Sequence, residues 1–168
     1  MGNISSSLND LKYLRYLDLS MNDFVGVQIP KFFGSLKNLR YLNLSFANFN
    51  GSIPQSFHNL SNLQYLDLNS NRGDLKSDDL GWVVGLSSLK HLNLGGVDLS
   101  GASSYWLHAI STLPSLLELH LSYCNLVPPS LPSVENFTSL SVLDISGNSF
   151  NSTIPLWVFN LSSLTLLD

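Results

Sequence analysis

One short motif recurs along nearly the whole chain and constrains its fold more than any other feature. Its spacings are 25, 24, 26, 27, 24 and 24 residues, an average of 25. A fixed period of this size predicts a solenoid, in which each unit buries its apolar face by stacking on its neighbours. Residues 1–168 are therefore predicted to form a single repeat array. The middle leucine of each copy is Leu17, Leu42, Leu66, Leu92, Leu119, Leu143 or Leu167.

Each copy of the motif predicts a short strand followed by a turn. In the first copy, 14–22, leucines alternate with other residues, so the leucines should point inward and the others outward. Seven such strands stacked at about 4.7–4.9 Å predict a parallel sheet roughly 30 Å long, with the outward residues on its concave face. A buried asparagine at the end of the motif should bond to the backbone of neighbouring turns. This ladder position holds Asn22, Asn71 and Asn148, with Ala47, Val97 and Cys124 in other copies.

A second pattern follows the strands. In 24–30 and 49–54, a glycine suits a turn with unusual backbone angles, and a proline follows; 150–155 shares the phase and the proline, with Ser152 in place of the glycine. The combined pattern L-x-x-L-x-x-L-x-L-x-x-N-x-F-x-G-x-I-P resembles the repeat of plant extracellular leucine-rich-repeat proteins. Segments 39–45 and 136–140 are similar to the amino-terminal repeats of plant receptor-like proteins. The resemblance implies an α/β leucine-rich-repeat solenoid, with a parallel concave β-sheet, convex short helices and turns, and about six full repeats plus a partial one.

The resemblance also implies a function. It implies a non-enzymatic, ligand-binding segment of a plant cell-surface immune receptor-like protein, which recognises a peptide or protein elicitor and signals through a partner receptor kinase. Receptor-like proteins carry a signal peptide, a cysteine-paired cap and a transmembrane helix. The chain is therefore predicted to be an extracellular fragment, uncapped at both ends and without its own signal peptide or anchor. Two alternatives remain open: a secreted inhibitor of a microbial cell-wall-degrading enzyme, similar to the polygalacturonase-inhibiting proteins, and the ectodomain of a peptide-hormone receptor kinase.

Composition excludes several other classes of protein. The net charge is −4, without a basic stripe, which argues against a nucleic-acid partner. The sequence contains no run of 18 apolar residues, so it predicts no transmembrane helix. Cys124 is the only cysteine, so it forms no internal disulfide, and its ladder position predicts a buried residue rather than a reactive thiol. We predict no small-molecule cofactor.

The outward residues of the strands are the predicted ligand-binding surface, because stacked aromatic side chains beside carboxylates can hold a peptide or protein. His91 and His120, near Asp67 and Asp144, also suggest a metal or acid–base site. Without a third organised ligand they are predicted to be surface histidines, and we assign no metal ligand and no catalytic residue. The predicted contact residues are Tyr16, Asp18, Tyr41, Phe46, Tyr65, Asp67, His91, Asn93, Glu118, His120 and Tyr123.

Six Asn-x-Ser/Thr sequons predict glycosylation in the secretory pathway. Three of them lie four residues before the first leucine of a repeat, where a solvent-facing turn is expected. A competing N-myristoylation pattern at Gly2 is disfavoured, because Gly2 aligns with the turn glycine of a preceding repeat. The three in-phase sites are Asn59, Asn136 and Asn160; the others are Asn3, Asn151 and Asn43, which lies on the concave face.

Two long connections, 72–85 and 100–113, carry the aromatic residues Trp82, Tyr105 and Trp106. We predict that these side chains pack on the core from the convex side. A lateral docking site for a co-receptor is the alternative.

Overall fold

The fold is built around a parallel β-sheet. The computed structural model describes residues 4–71, 75–128, 137–150 and 154–168. Within these residues, seven strands form one sheet in the order β1-β2-β4-β6-β7-β8-β9, and β3 pairs with β5 in a second sheet. In chain order the strands are β1 Tyr16–Asp18, β2 Tyr41–Asn43, β3 Gly51–Ser52, β4 Tyr65–Asp67, β5 Leu75–Lys76, β6 His91–Asn93, β7 Glu118–His120, β8 Val142–Asp144 and β9 Leu166–Leu167.

The register of the main sheet follows the repeat. Each strand pairs in parallel with its counterpart in the next repeat, so that Leu17 lies opposite Leu42 and Leu42 opposite Leu66. In β2, β4, β6, β7 and β8 the middle residue is buried and its two neighbours are partly exposed. The predicted leucine-rich-repeat solenoid is confirmed, and the outward residues form its concave face.

Short helices lie on the opposite, convex side. Trp82 and Trp106 are completely buried there, and their indole nitrogens donate to Ser77 Oγ and the Val127 carbonyl oxygen. The predicted core packing is confirmed for Trp82 and Trp106 and was wrong for Tyr105, which is 39% exposed. No helix in the described ranges has the length and apolar content needed to cross a membrane. The helices are the α-helix α1 Trp106–Ser111 and the 3-10 helices Ser6–Asp10, Lys31–Ser35, Gln55–Asn59, Gly81–Gly85, Ser100–Ala102 and Leu156–Asn160.

The ladder asparagines connect adjacent repeats, with one exception. Asn71 is buried, and its Nδ2 donates to the carbonyl oxygens of Leu44 and Leu68 while its Oδ1 accepts from the Phe49 amide. Asn148 makes the same kind of bonds to its neighbouring repeat. The prediction was wrong for Asn22, which is exposed and donates only to carbonyls within its own turn.

Cys124 occupies the ladder position as a buried thiol, as predicted. Its Sγ lies 3.1 Å from the carbonyl oxygen of Leu94, and its backbone amide donates to Asn148 Oδ1. Burial raises the pKa of the thiol from 9.0 to about 12. The thiol is therefore protonated at neutral pH.

The second sheet lies beyond the ladder. Gly51 has a φ of +75°, a left-handed conformation that glycine adopts without strain, which confirms the predicted unusual backbone angle; the residue lies in β3, however, and not in a turn. The sequence pattern predicted only a turn and an extended piece, but here β3 pairs with β5, and the Ile53 amide donates to the Lys76 carbonyl oxygen.

Candidate functional site

The concave face carries a row of stacked rings. Tyr16 and Tyr41 stack with centroids 4.1 Å apart, Tyr41 and Tyr65 at 4.3 Å, and Tyr65 and His91 at 4.2 Å, with interplanar angles of 5–11°. The in-phase register produces this row, because the first outward residue of each strand lies beside its counterpart in the next repeat. The row ends at Glu118. It presents a continuous aromatic surface across four repeats.

The second outward position of each strand has a structural role that sequence reasoning missed. The Oδ1 atoms of Asp18, Asn43, Asp67, Asn93 and Asp144 each accept a hydrogen bond, 2.8–3.0 Å long, from the backbone amide two residues later. Such a bond closes an Asx turn at the end of the strand. The sequence signal is the recurrence of aspartate or asparagine at this position. One oxygen of each side chain is therefore already used and is not free for a ligand.

The pKa values of Asp18 and Asp67, which occupy the same position in their strands, are shifted in opposite directions because the two residues differ in burial. Hydrogen bonds from the Ser20 side chain and amide lower the pKa of the exposed Asp18. Desolvation raises the pKa of Asp67, which lies deeper in the sheet. Burial and the adjacent carboxylate of Asp67 also raise the pKa of Tyr65. The centre of the concave face is thus the less hydrated part of the row.

A second row of exposed side chains follows the strands, one residue before the ladder position. Met21, Phe46 and Tyr123 have φ values of 53–56°, a left-handed conformation that is uncommon for bulky residues. Each amide in this row donates to a carbonyl of the next repeat, as in the bond from Tyr123 to the Ser146 oxygen. Bulky residues held in this conformation are candidates for a functional role. Their left-handed backbone could not be read from the motif.

Phe46 and Tyr123 bound a groove on this face. Between them the same row holds the small residues Ser70 and Gly96, which form the bottom of the groove because they project less than the two aromatic rings. Phe46 is 50% exposed and Tyr123 72% exposed, so both rings are available to a partner. Register places three strand steps between them, about 14 Å. The groove is lined by Phe46, Asn48, Asn69, Ser70, Gly95, Gly96, Ser122 and Tyr123.

Three possible metal ligands meet beside the end of the aromatic row. His91 Nδ1 donates to Glu118 Oε2 at 2.7 Å, and His120 Nδ1 lies 3.8 Å from Asp144 Oδ2. The expectation that no third ligand accompanies the two histidines was wrong: Glu118, in register with His91, supplies it. Sequence reasoning overlooked it because it compared the histidines only with the aspartates of the neighbouring position.

The predicted glycosylation sites divide by position. Asn59 and Asn160 are exposed at the ends of convex 3-10 helices, as expected for solvent-facing turns. Asn43 is partly buried, and its Oδ1 accepts from both the amide and the hydroxyl of Ser45. Sites Asn3, Asn136 and Asn151 lie outside the described residues.

Comparison with known sequences identifies relatives of the chain. Leucine rich repeat profiles match residues 12–72 and 139–161. Receptor-like protein EIX1 of Solanum lycopersicum is 46% identical over 99% of this chain and 16% of its own length. Receptor-like protein EIX2 of the same organism is 47% identical, over 99% and 17%. The chain thus spans about one sixth of the length of these relatives.

Solved structures with this fold include plant receptors. A TDR receptor aligns with a TM-score of 0.77 at 25% identity, over 98% of this chain and 27% of the receptor chain. The PEPR1–AtPEP1 structure aligns with a TM-score of 0.66 at 26% identity, over 98% and 26%. The Arabidopsis receptor kinase HAESA, solved with the peptide hormone IDA and the co-receptor SERK1, gives 0.63 at 26%, over 99% and 32%.

Proposed function

The chain belongs to the leucine-rich-repeat family, as a relative of the plant receptor-like proteins, and we propose that it is a non-enzymatic, ligand-binding segment of a receptor ectodomain at the outer surface of the plant cell. Its ligand is a peptide or protein elicitor, and a partner receptor kinase carries the signal. Two sets of observations support this proposal: the exposed rings of the concave face, and the receptor-like proteins among the relatives.

The groove between Phe46 and Tyr123 carries the proposal. Two aromatic side chains, each held in an unfavourable backbone conformation and exposed to solvent, contribute little to the core. Aromatic residues of this kind supply large contact area at a modest cost in side-chain entropy. An extended segment of about four residues spans the roughly 14 Å between them. We infer that a ligand segment lies along the sheet with an apolar side chain at each ring.

Site-specific crosslinking tests this surface. A photoreactive benzoylphenylalanine is placed at Tyr123 or, as a matched control, at Phe159 in the convex helix; both side chains are 72% exposed. Each variant is irradiated with proteins secreted by a fungal culture. We expect a discrete adduct from position 123, at least tenfold weaker when Phe46→Ala is added, and none from position 159. Equal adducts from both positions would contradict the proposal.

A peptide hormone is the second candidate ligand, favoured by the structural relative HAESA, which was solved with a peptide hormone. The same crosslinking assay distinguishes the two when it is repeated with peptides from plant extracellular fluid. Adducts only with plant peptides would favour a hormone receptor, and adducts only with fungal proteins an elicitor receptor.

Glycan occupancy tests the proposed location. In protein isolated from plant cells, we expect N-glycans at the exposed Asn59 and Asn160. We expect Asn43 to be bare, because its side chain closes an Asx turn beside the stacked tyrosines. Peptide mass spectrometry measures each site. Unmodified asparagines at both exposed sites would contradict an extracellular location.

A further inference from the structure

His91, Glu118 and His120 form a compact cluster on the concave face. Parallel pairing of β6 with β7 places His91 opposite Glu118, and His120 follows on the same face of β7, two residues later. Each residue offers one ligand atom, and these atoms all lie within 4.8 Å of one another. The three side chains are partly exposed, so an ion can reach them from solvent.

This combination of donors has a defined metal preference. Two imidazoles and one carboxylate are a ligand set of Zn²⁺, which takes three protein ligands and leaves one position open. Tetrahedral bonds of about 2.0–2.2 Å place the ligand atoms roughly 3.3–3.5 Å apart. His91 and Glu118, now 2.7 Å apart, would separate slightly, and the His120 atom, which lies within 4.8 Å of both, would need to shift by at most about 1.5 Å. Glu118 is 46% exposed and has room to rotate.

The surroundings hold the two imidazoles in place. The His91 ring stacks on Tyr65 with an interplanar angle of 5°. Asp144, fixed by two bonds from Ser146, places its Oδ2 3.8 Å from His120 Nδ1, within ion-pair distance but too far for a hydrogen bond. His91 Nε2 is buried and lacks a hydrogen-bond partner within the described ranges. Nε2 is therefore closed to an ion from solvent, and Nδ1, which faces Glu118, is the His91 atom that the ion would bind.

We propose that His91, Glu118 and His120 bind one divalent transition-metal ion of the zinc type. The ion takes the place of the proton on His91 Nδ1, the ring proton then resides on Nε2, and one coordination position stays open toward the concave face. This inference goes beyond the proposed receptor function and does not rest on it, because the three metal-binding side chains come from this chain and need no peptide or protein ligand.

Metal titration tests the inference. The chain is prepared without a polyhistidine tag and titrated with Zn²⁺ by calorimetry, and with Co²⁺, whose visible absorption reports tetrahedral coordination. We expect saturable binding of one ion per chain. His91→Gln, Glu118→Gln and His120→Gln should each weaken binding at least tenfold, as loss of even an outer-shell partner commonly does. His58→Gln, on an exposed convex histidine, is the matched control and should leave the affinity unchanged.

Circular dichroism of each variant separates loss of the site from loss of the fold. Glu118→Gln is the decisive variant, because glutamine keeps the size of the side chain and an acceptor oxygen for His91. Absence of saturable binding, or an affinity that Glu118→Gln leaves unchanged, would overturn the inference. An equal loss in His58→Gln would overturn it as well.

Discussion

Replacement of Asn71 by alanine tests whether ladder asparagines, in addition to leucines, hold adjacent repeats together. The side chain makes three hydrogen bonds: from the Phe49 amide at 3.0 Å, and to the Leu44 and Leu68 carbonyls at 3.1 and 2.7 Å. Alanine removes all three and leaves the backbone groups without these bonds in a site from which water is excluded, since Asn71 is 2% exposed.

The expected loss follows from those bonds. Each contributes about 1 kcal/mol net, and a buried group left unpaired costs roughly 1–3 kcal/mol. The free energy of unfolding should therefore fall by about 3–5 kcal/mol, a large part of the 5–15 kcal/mol typical of a domain. Asn22→Ala is the matched control: the same ladder position, but exposed, with bonds only within its own turn. Water replaces those bonds, so its loss should stay below about 1 kcal/mol.

Urea unfolding, followed by the fluorescence of the buried tryptophans, measures both variants. With a urea m value of about 1–3 kcal/mol/M, Asn71→Ala should lower the midpoint by at least about 1 M. Asn22→Ala should lower it much less. Midpoints that shift equally in the two variants would show that the ladder bonds contribute no more than exposed turn bonds, and the reasoning would be refuted.

Three further predictions follow from backbone conformation and burial. In thermal unfolding, Tyr123→Gly should be about 1 kcal/mol more stable than Tyr123→Ala, because φ at this position is +54°. At Tyr16 in β1, the alanine variant should instead be more stable than the glycine variant, and the same order at both positions would contradict the prediction. The Cys124 thiol should resist alkylation by iodoacetamide until urea unfolds the chain, and rapid alkylation of the folded chain would contradict its burial. The contribution of this thiol to stability should be complete below pH 9.0 and should be lost as the pH rises toward about 12. The raised pKa of Asp67 means that its carboxyl stabilises the fold below pH 3.8 and loses that contribution as the pH rises. The stability of Asp67→Asn relative to the parent should therefore increase from acidic to neutral pH. A stability difference that does not change with pH would contradict the prediction.

The sequence predicts the sheet well because strand position and register depend on the repeat alone. The leucine alternation places Leu17, Leu42 and Leu66 in register, and the tyrosine row follows from the same alignment. Cys124 was correctly placed for the same reason.

Other features depend on three-dimensional context. Asn22 matches the motif as well as Asn71 does, but burial requires covering neighbours, which a linear pattern does not specify. The left-handed backbone of Phe46 arises from hydrogen bonds to the next repeat, against the preference of the residue itself. Glu118 joins His91 through a side-chain rotamer, which periodicity does not determine.

The left-handed row has an evolutionary consequence. Phe46, Ser70, Gly96 and Tyr123 share one backbone conformation although their side chains range from a hydrogen atom to a phenol, because the amide of each donates to the neighbouring repeat. Mutation can therefore exchange a glycine such as Gly96, where an added Cβ meets nothing closer than 3.9 Å, for an aromatic residue at a cost of about 1 kcal/mol in backbone strain and without remodelling the turn. Duplication of a repeat unit of about 25 residues would add one more such position. New recognition specificity can thus arise by single codon changes, while selection on the leucines and ladder residues preserves the array.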